Sequence, residues 1–83
     1  MIKSINNENY QSLIDWLKTE RQKQSLTVRQ LALRIDEPFQ FVSKIETAQR
    51  KLNVYEYVQY CSALNLDPSE GLAILSNKKV INL

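Results

Sequence analysis

Apolar residues recur every three or four positions in five successive blocks of this chain of 83 residues, which is the spacing of one face of an α-helix. The blocks cover about residues 7–24, 27–35, 39–47, 53–64 and 67–75. The faces that we expect to be buried are Tyr10, Leu13, Ile14 and Leu17; Val28, Leu31, Ala32 and Ile35; Val42 and Ile45; Val54, Tyr57, Val58, Cys61 and Leu64; and Leu72 and Leu75. The pattern predicts an all-α fold, a bundle of five short helices.

Polar residues and a proline mark the boundaries of these blocks. Thr27, Asn53 and Asp67 are good N-caps for the second, fourth and fifth helices. Pro38 separates the second block from the third, because it disfavours helix at the residue before it. Two helices of about eight residues separated by about three cannot lie antiparallel. We therefore predict the crossed arrangement of a helix-turn-helix at about residues 27–47.

The composition fits one small globular domain over residues 1–83, with 43% apolar and 24% charged residues. Residues 76–83 have no helical pattern, and a short strand, a docking arm and disorder all stay open for this tail. The chain has no run of about 18 apolar residues and no signal-like start, so we expect a cytoplasmic protein with no membrane segment.

The composition disfavours several kinds of chemistry. The chain has no His, which is the commonest general base and zinc ligand. Its one cysteine, Cys61, cannot form an internal disulfide or a thiolate cluster, and we interpret it as a buried, inert thiol. We predict no catalytic residues, no metal site and no cofactor, and therefore no enzyme.

The segment Leu26–Leu52 resembles the lambda-repressor-like helix-turn-helix family, also called the Xre or Cro/repressor family. The segment EYVQYCSALNLDPSEGL that follows is similar to the family's fourth and fifth helices, so the resemblance covers roughly residues 13–75. It implies a compact five-helix DNA-binding domain. The positions that match the family's pattern are Leu26, Thr27, Leu31, Ala32, Val42, Ser43, Ile45, Glu46 and Arg50.

Three positions depart from the family's pattern. Val28 replaces a glutamine, and Asp36 and Ala48 replace two glycines. Aspartate tolerates the left-handed backbone conformation better than most residues, so we expect Asp36 to keep the turn. Alanine adopts that conformation poorly, so we expect the corner at Ala48 to differ from the family's.

The resemblance implies that the second helix of the motif enters the major groove of DNA and reads bases with Phe39, Gln40, Ser43 and Lys44. Gln40 has the groups to pair with adenine N6 and N7, Lys44 can donate to guanine O6 and N7, and Phe39 can pack on a thymine methyl. The alternative for Phe39 is that it turns inward and fills space at the turn.

Phosphate contacts are expected from helix N-termini and from flanking cations. The segment Arg21–Lys51 carries seven Lys or Arg against three acids, whereas the net charge of the whole chain is only +2. This uneven distribution fits a surface that meets DNA. The residues that we predict to contact phosphates are Thr27, Val28 through its amide, Arg29, Arg50 and Lys51.

The resemblance also implies a structural ion pair. In the family, an Arg late in the first helix pairs with the Glu that ends the recognition helix, and Arg21 and Glu46 match these positions. The pair would hold the recognition helix against the first helix, with the bidentate geometry that makes partial burial tolerable.

The leading interpretation is a small transcriptional regulator, similar to phage repressors and Cro-like proteins, that binds double-stranded DNA as a homodimer. A protein-binding adaptor with the same fold is the alternative, favoured by the less DNA-like residues Val28, Asp36, Glu37 and Phe39. An antitoxin-like protein would combine both activities. A surface for a protein partner would be formed by some of Trp16, Leu33, Tyr55, Tyr57 and Tyr60.

Overall fold

The computed structural model describes residues 7–77 and confirms the all-α class, with five helices and no strand in this range. The helices are α1 (Glu8–Lys23), α2 (Val28–Arg34), α3 (Phe39–Glu46), α4 (Val54–Leu64) and α5 (Pro68–Leu75). None of the described helices is long and apolar enough to cross a membrane. Most of the tail at 76–83 lies outside the described residues, and the extent of the domain over residues 1–83 stays a prediction.

The helices begin at the polar residues that the sequence indicates. Thr27 and Gln30 form a reciprocal capping box at the start of α2, in which each side chain accepts a hydrogen bond from the other residue's amide. Asn53 and Glu56 form the same arrangement at the start of α4. Asp67 caps α5 by accepting from the Ser69 amide. These caps satisfy amides that have no partner within the helix and so fix where each helix begins.

The first four helices each end near a non-glycine residue in the left-handed conformation. In each case the next amide donates back across the turn, as the Glu37 amide does to the Ala32 carbonyl at 3.0 Å. The expectation that Asp36 keeps the turn between α2 and α3 is confirmed, since its φ is 57°. The four left-handed residues are Ser25, Asp36, Ala48 and Asn65.

The corner after α3 differs from what the sequence led us to expect. Ala48 adopts the left-handed conformation, with φ 62°, so the prediction of a different corner is wrong. The Gln49 amide donates to the Lys44 carbonyl at 2.8 Å and closes the helix end. This closing bond offsets the strain of about 1–2 kcal/mol that a β-carbon experiences in this region.

The core is formed by side chains of α1, α2, α3 and α4, together with Ile35 directly after α2. The predicted faces of α1 and α3 are buried, and so is most of the predicted face of α2, where Val28 is only partly buried. The buried apolar side chains are Tyr10, Leu13, Ile14, Leu17, Leu31, Ala32, Ile35, Phe41, Val42, Ile45, Tyr57, Tyr60, Cys61 and Leu64.

The predicted faces of α4 and α5 are partly wrong. Val54 is 80% exposed and Val58 is also exposed, because α4 is turned so that Tyr60 enters the core in their place. Leu72 and Leu75 are exposed as well, and Gly71 is the residue of α5 that is buried.

Gly71 is buried because α5 lies very close to α1 there. A β-carbon on this residue would lie 2.8 Å from both Leu13 Cδ1 and Trp16 Cζ3, and closer still to the Tyr57 hydroxyl. The lack of a side chain therefore sets how closely α5 packs, and Trp16 is occupied by this contact. Tyr57 and Tyr60 are in the core, so of the five residues considered for a partner surface only Tyr55 and Leu33 are largely exposed.

Candidate functional site

The first turn of α3 is open toward solvent. Pro38 is its N-cap and provides no side-chain hydrogen bond, and the Phe41 amide donates to the Pro38 carbonyl at 2.9 Å. Gln40, in this turn, is exposed. The N-terminus of a helix carries a partial positive charge and outward-pointing amides, so this end of α3 favours an electron-rich partner.

The side chains of α3 divide between the core and the solvent. Phe41, Val42 and Ile45 are buried, and the Phe41 ring lies 6.4 Å from the ring of Tyr60 on α4. Gln40 and Lys44 are both exposed and lie one turn apart on the outer face. The outer face therefore presents an amide and an ammonium group, which between them can donate and accept hydrogen bonds.

Ser43 and Phe39 occupy intermediate positions on α3. Ser43 is partly buried, and its carbonyl accepts a hydrogen bond from the Thr47 hydroxyl at 2.8 Å. Phe39 is half-buried and packs against the edge of the core. Its ring therefore neither stands free on the outer face nor enters the interior completely.

Arg29 and Phe39 are brought together across the turn between α2 and α3. The central guanidinium carbon of Arg29 lies 3.8 Å from the centroid of the Phe39 ring, which is a close cation–π contact. The sequence assigns Phe39 to base contacts and Arg29 to phosphate contacts. It contains no signal that the two side chains touch, because the contact depends on how α2 and α3 cross.

Arg21 on α1 holds the end of α3 through two hydrogen bonds to Glu46. The Nε–Oε2 distance is 2.7 Å and the Nη2–Oε1 distance is 3.0 Å. The side chains are only 10% and 8% exposed, and Arg21 Nη1 also donates to the Leu26 carbonyl at 2.6 Å. The guanidinium thus donates to the Glu46 carboxylate and to the Leu26 carbonyl at the same time. These hydrogen bonds connect α1 with the loop before α2 and with the last residue of α3.

The loop between α3 and α4 contains Arg50 and Lys51, two of the predicted phosphate contacts. Arg50 donates to both oxygens of Glu56, each at 2.8 Å, and its guanidinium lies over the Phe41 ring. The hydrogen bonds from Arg50 lower the pKa of the Glu56 carboxyl. The Arg50 side chain is still 41% exposed, and Lys51 is exposed.

Sequence reasoning missed Glu56 as the partner of Arg50, although a signal for it was present. Glu56 follows Asn53 at the spacing of a capping box, which puts its carboxylate at the start of α4. The loop that contains Arg50 leads into this end of α4. The Glu56 carboxylate therefore takes part in both the helix cap and the ion pair.

The start of α2 holds the remaining predicted phosphate contacts. Thr27 is exposed and its hydroxyl accepts from the Gln30 amide at 3.0 Å, while Val28 is partly buried. The side chain of Val28 is apolar, so the predicted phosphate contact of this residue can only be made by its backbone amide. The geometry leaves the assignment of these residues to phosphates as a prediction.

The described residues contain no group of three or more His, Cys, Asp or Glu side chains that could hold a metal ion. Cys61 is fully buried, and this burial raises the pKa of its thiol. A protonated, enclosed thiol is a poor nucleophile, which agrees with the interpretation of Cys61 as inert.

Comparison with known proteins identifies relatives over most of the chain. A family model described as "Helix-turn-helix" (HTH_3) matches residues 17–71. An XRE-family like protein from Pseudomonas syringae pv. tomato str. DC3000 is 40% identical, with a TM-score of 0.79, over 88% of this chain and 89% of that chain.

A second solved structure, the clp gene regulator ClgR from C. glutamicum, supports the fold alone. It is 17% identical, with a TM-score of 0.74, over 93% of this chain and 100% of that chain. No curated protein matches the sequence.

Proposed function

The chain belongs to the Xre-type helix-turn-helix family, and from this premise we propose that it is a transcriptional regulator that binds double-stranded DNA, with α3 in the major groove. The observation that carries the proposal is the outer face of α3, where Gln40 and Lys44 are exposed one turn apart next to an open helix N-terminus. A short helix with this face outward fits the groove of B-DNA.

The base contacts in this proposal come from α3. Gln40 pairs with an adenine, Lys44 with a guanine, and Ser43 and Phe39 contact neighbouring base edges or a thymine methyl. Each good bidentate pair contributes about 1–3 kcal/mol of discrimination against the wrong base. The phosphate contacts, which set the position of the protein on the duplex, come from Thr27, Val28, Arg29, Arg50 and Lys51.

We further propose that the protein acts as a homodimer on a two-fold symmetric site, in the manner of phage repressors, with half-sites about 34 Å apart. Apolar side chains support a self-association surface, because Val54, Leu72 and Leu75 are exposed and line one groove with Tyr10 and Leu52. Sedimentation equilibrium, alone and with a symmetric duplex, measures the stoichiometry. Two chains per duplex support the dimer, and one chain per duplex contradicts it.

Binding of DNA is tested by fluorescence anisotropy with a labelled random-sequence duplex at several salt concentrations. We expect log K to fall linearly with log salt, with a slope of about −0.9 for each phosphate neutralised. Lys51→Ala should make this slope shallower by about one phosphate. Negligible binding at low salt, with no dependence on salt, would rule out the proposed function.

Sequence preference is tested by selecting bound duplexes from a random pool. Gln40→Ala and Lys44→Ala should each relax the preference at one position of the selected site, by about tenfold or more. Gln22→Ala and Lys18→Ala are matched controls, because they remove the same groups from exposed positions of α1. If the α3 variants select the same site as the wild-type protein, the assignment of this face is wrong.

A protein-binding adaptor is the second candidate function. It is favoured by Leu33, which is 79% exposed on α2 beside the half-buried Phe39, and by Tyr55, which is exposed on α4. An antitoxin-like protein would use such a surface in addition to DNA. The salt titration separates the adaptor from the regulator, since only the regulator binds a duplex with a linear dependence on salt.

A further inference from the structure

We propose that Arg29 is a specificity-determining residue that reads a guanine beside α3, with Phe39 as the residue that positions its guanidinium. This inference rests on the proposed function and changes the role of both side chains within it. Arg29 becomes a base contact instead of a phosphate contact, and Phe39 acts through Arg29 as well as through its own surface.

Arg29 and Phe39 meet at the start of α3. Phe39 is the first residue of α3, and the N-terminal residues of a recognition helix are those that reach base edges. Arg29 lies on α2, yet its guanidinium carbon is 3.8 Å from the centroid of this ring. The contact therefore carries a charged donor from α2 to the end of α3 that faces the bases.

The Phe39 ring restricts the guanidinium of Arg29. Phe39 is fixed because it is half-buried and packs against the core. The guanidinium carbon of Arg29 lies over this ring, which restricts the positions that the N–H groups of the planar guanidinium can take. A planar pair of donors matches O6 and N7 of guanine, and it can also bind two oxygens of a phosphate, so the choice between these partners depends on the charge around the site.

The surroundings of Arg29 include apolar side chains and one carboxylate. Arg29 and Phe39 line a shallow depression together with Leu33, Glu37 and Pro38. The carboxylate of Glu37 would repel a phosphate at this position, while an uncharged base edge avoids most of that repulsion. The apolar walls formed by Leu33 and Pro38 also suit a base or a thymine methyl better than a phosphate.

The test compares site preferences of the wild-type protein, Arg29→Lys and Phe39→Leu, by selection from a random pool followed by competition between single-base variants of the selected site. Arg29→Lys keeps the charge but loses the planar fork, so we expect discrimination at one guanine to fall about 10- to 100-fold. Phe39→Leu keeps an apolar side chain but removes the ring, and it should reduce discrimination at the same guanine. The salt dependence of Arg29→Lys should equal that of the wild type.

Arg34→Lys is the matched control on the same helix. Arg34 donates to the Ala63 carbonyl at 3.0 Å, away from α3, so this variant should select the wild-type site unchanged. Circular dichroism of each variant verifies that it is folded. Arg29 is exposed, so the Arg29→Lys and Arg29→Ala variants together decide the question even where Phe39→Leu lowers stability.

Two results would overturn the inference, and they are distinguishable. If Arg29→Lys keeps the full preference, and Arg29→Ala weakens binding to all sequences equally with a salt slope smaller by about one, then Arg29 is a phosphate contact. The proposed function would survive that result. If the wild-type protein selects no site and its binding does not depend on salt, the proposed function and this inference are both wrong.

Discussion

At the scale of single residues, the clearest cost in this fold is at Ala48. Its φ of 62° lies in the left-handed region, which costs a residue with a β-carbon about 1–2 kcal/mol. Ser25, Asp36 and Asn65 share this conformation, and an aspartate or asparagine side chain tolerates it better than alanine does. Ala48 therefore keeps strain that a glycine at the same position would not have.

We predict that Ala48→Gly stabilises the protein by about 0.5–1 kcal/mol, because the relief of strain exceeds the extra entropy of the unfolded chain. In a domain of this size, 1 kcal/mol raises Tm by about 4–8 °C. Thermal unfolding followed by circular dichroism measures the change.

The matched control is Ala73→Gly. Ala73 is exposed within α5, where glycine only loosens the helix, so we expect a loss of about 0.5–1 kcal/mol. Equal destabilisation by both substitutions would contradict the assignment of strain to Ala48.

Tyr60 carries the one buried side-chain polar atom in the described residues that has no hydrogen-bond partner. Burial of the ring raises the pKa of its hydroxyl well above the usual value. An unpartnered buried hydroxyl costs about 1–3 kcal/mol relative to water, so we predict that Tyr60→Phe leaves stability unchanged or increases it by about 1 kcal/mol.

Tyr57→Phe is the comparison for this prediction, because the Tyr57 hydroxyl donates to the Pro68 carbonyl. Its removal should cost about 1 kcal/mol, because a hydrogen bond that is made in the folded protein is lost. Urea denaturation of both variants measures the difference. A loss of stability in Tyr60→Phe as large as that in Tyr57→Phe would mean that the Tyr60 hydroxyl has a partner in solution.

At the scale of helices, the sequence predicts best where a helix begins at a local cap. Thr27 and Asn53 define the starts of α2 and α4 because their side chains act on their own backbone, within three residues. Such local interactions do not depend on how the bundle is assembled. The starts of these helices were therefore predictable from the sequence alone.

The rotation of α4 was not predictable, because two apolar stripes compete on it. Val54 and Val58 follow a helical spacing with Tyr57, and Tyr60 follows another with the same residue. The choice depends on tertiary contacts, here on the ring of Phe41 meeting Tyr60. A periodic pattern alone cannot choose between faces that are both apolar.

One part of the candidate site was predictable from the sequence and another part was not. Gln40 and Lys44 were expected outward because Val42 and Ile45 point inward, which is a consequence of helix geometry alone. The contact between Arg29 and Phe39 requires the crossing of α2 and α3 and the choice of two rotamers. Neither the crossing of the helices nor the rotamers can be predicted from the spacing of residues along the chain.

The position of α3 depends on the buried ion pair between Arg21 and Glu46. We predict that Arg21→Met costs about 3–5 kcal/mol, because it leaves a carboxylate buried without its partner. The double substitution Arg21→Met with Glu46→Met should cost less than this single one, because no buried charge remains. Urea denaturation at low temperature measures the free energy of unfolding of the wild-type protein, the two single variants Arg21→Met and Glu46→Met, and the double variant. Costs that simply add would show that the two charges do not depend on each other.

At the scale of the whole molecule, a net charge of +2 conceals an uneven distribution. The segment Arg21–Lys51 has seven basic and three acidic residues, and the rest of the chain is acidic overall. Three of the seven cations are already paired with carboxylates, namely Arg21, Lys23 and Arg50. The field that a duplex meets therefore depends on exposed cations such as Arg29 and Lys44 more than on the total count.

The ion pair between Arg50 and Glu56 connects folding to pH. The pKa of Glu56 is lowered in the folded protein from a usual value of 4.5, first by its hydrogen bonds to Arg50 and then by the Asn53 amide. The folded state thus binds a proton less readily than the unfolded chain does. The stability that this group contributes is fully present above about pH 4.5 and is lost as pH falls through the lowered pKa.

We predict that Glu56→Gln makes the free energy of unfolding less dependent on pH between about pH 5 and pH 3, because the carboxyl group with the lowered pKa at position 56 is removed. Gln keeps a side-chain oxygen that can accept from the Asn53 amide, so the cap of α4 survives. Arg50→Met should flatten the same range, since it removes the main cause of the lowered pKa. Urea denaturation at several pH values tests both variants. If the curve of Glu56→Gln runs parallel to that of the wild-type protein through this range, acid unfolding is controlled by other carboxylates and the pair has little weight in the stability of the whole domain.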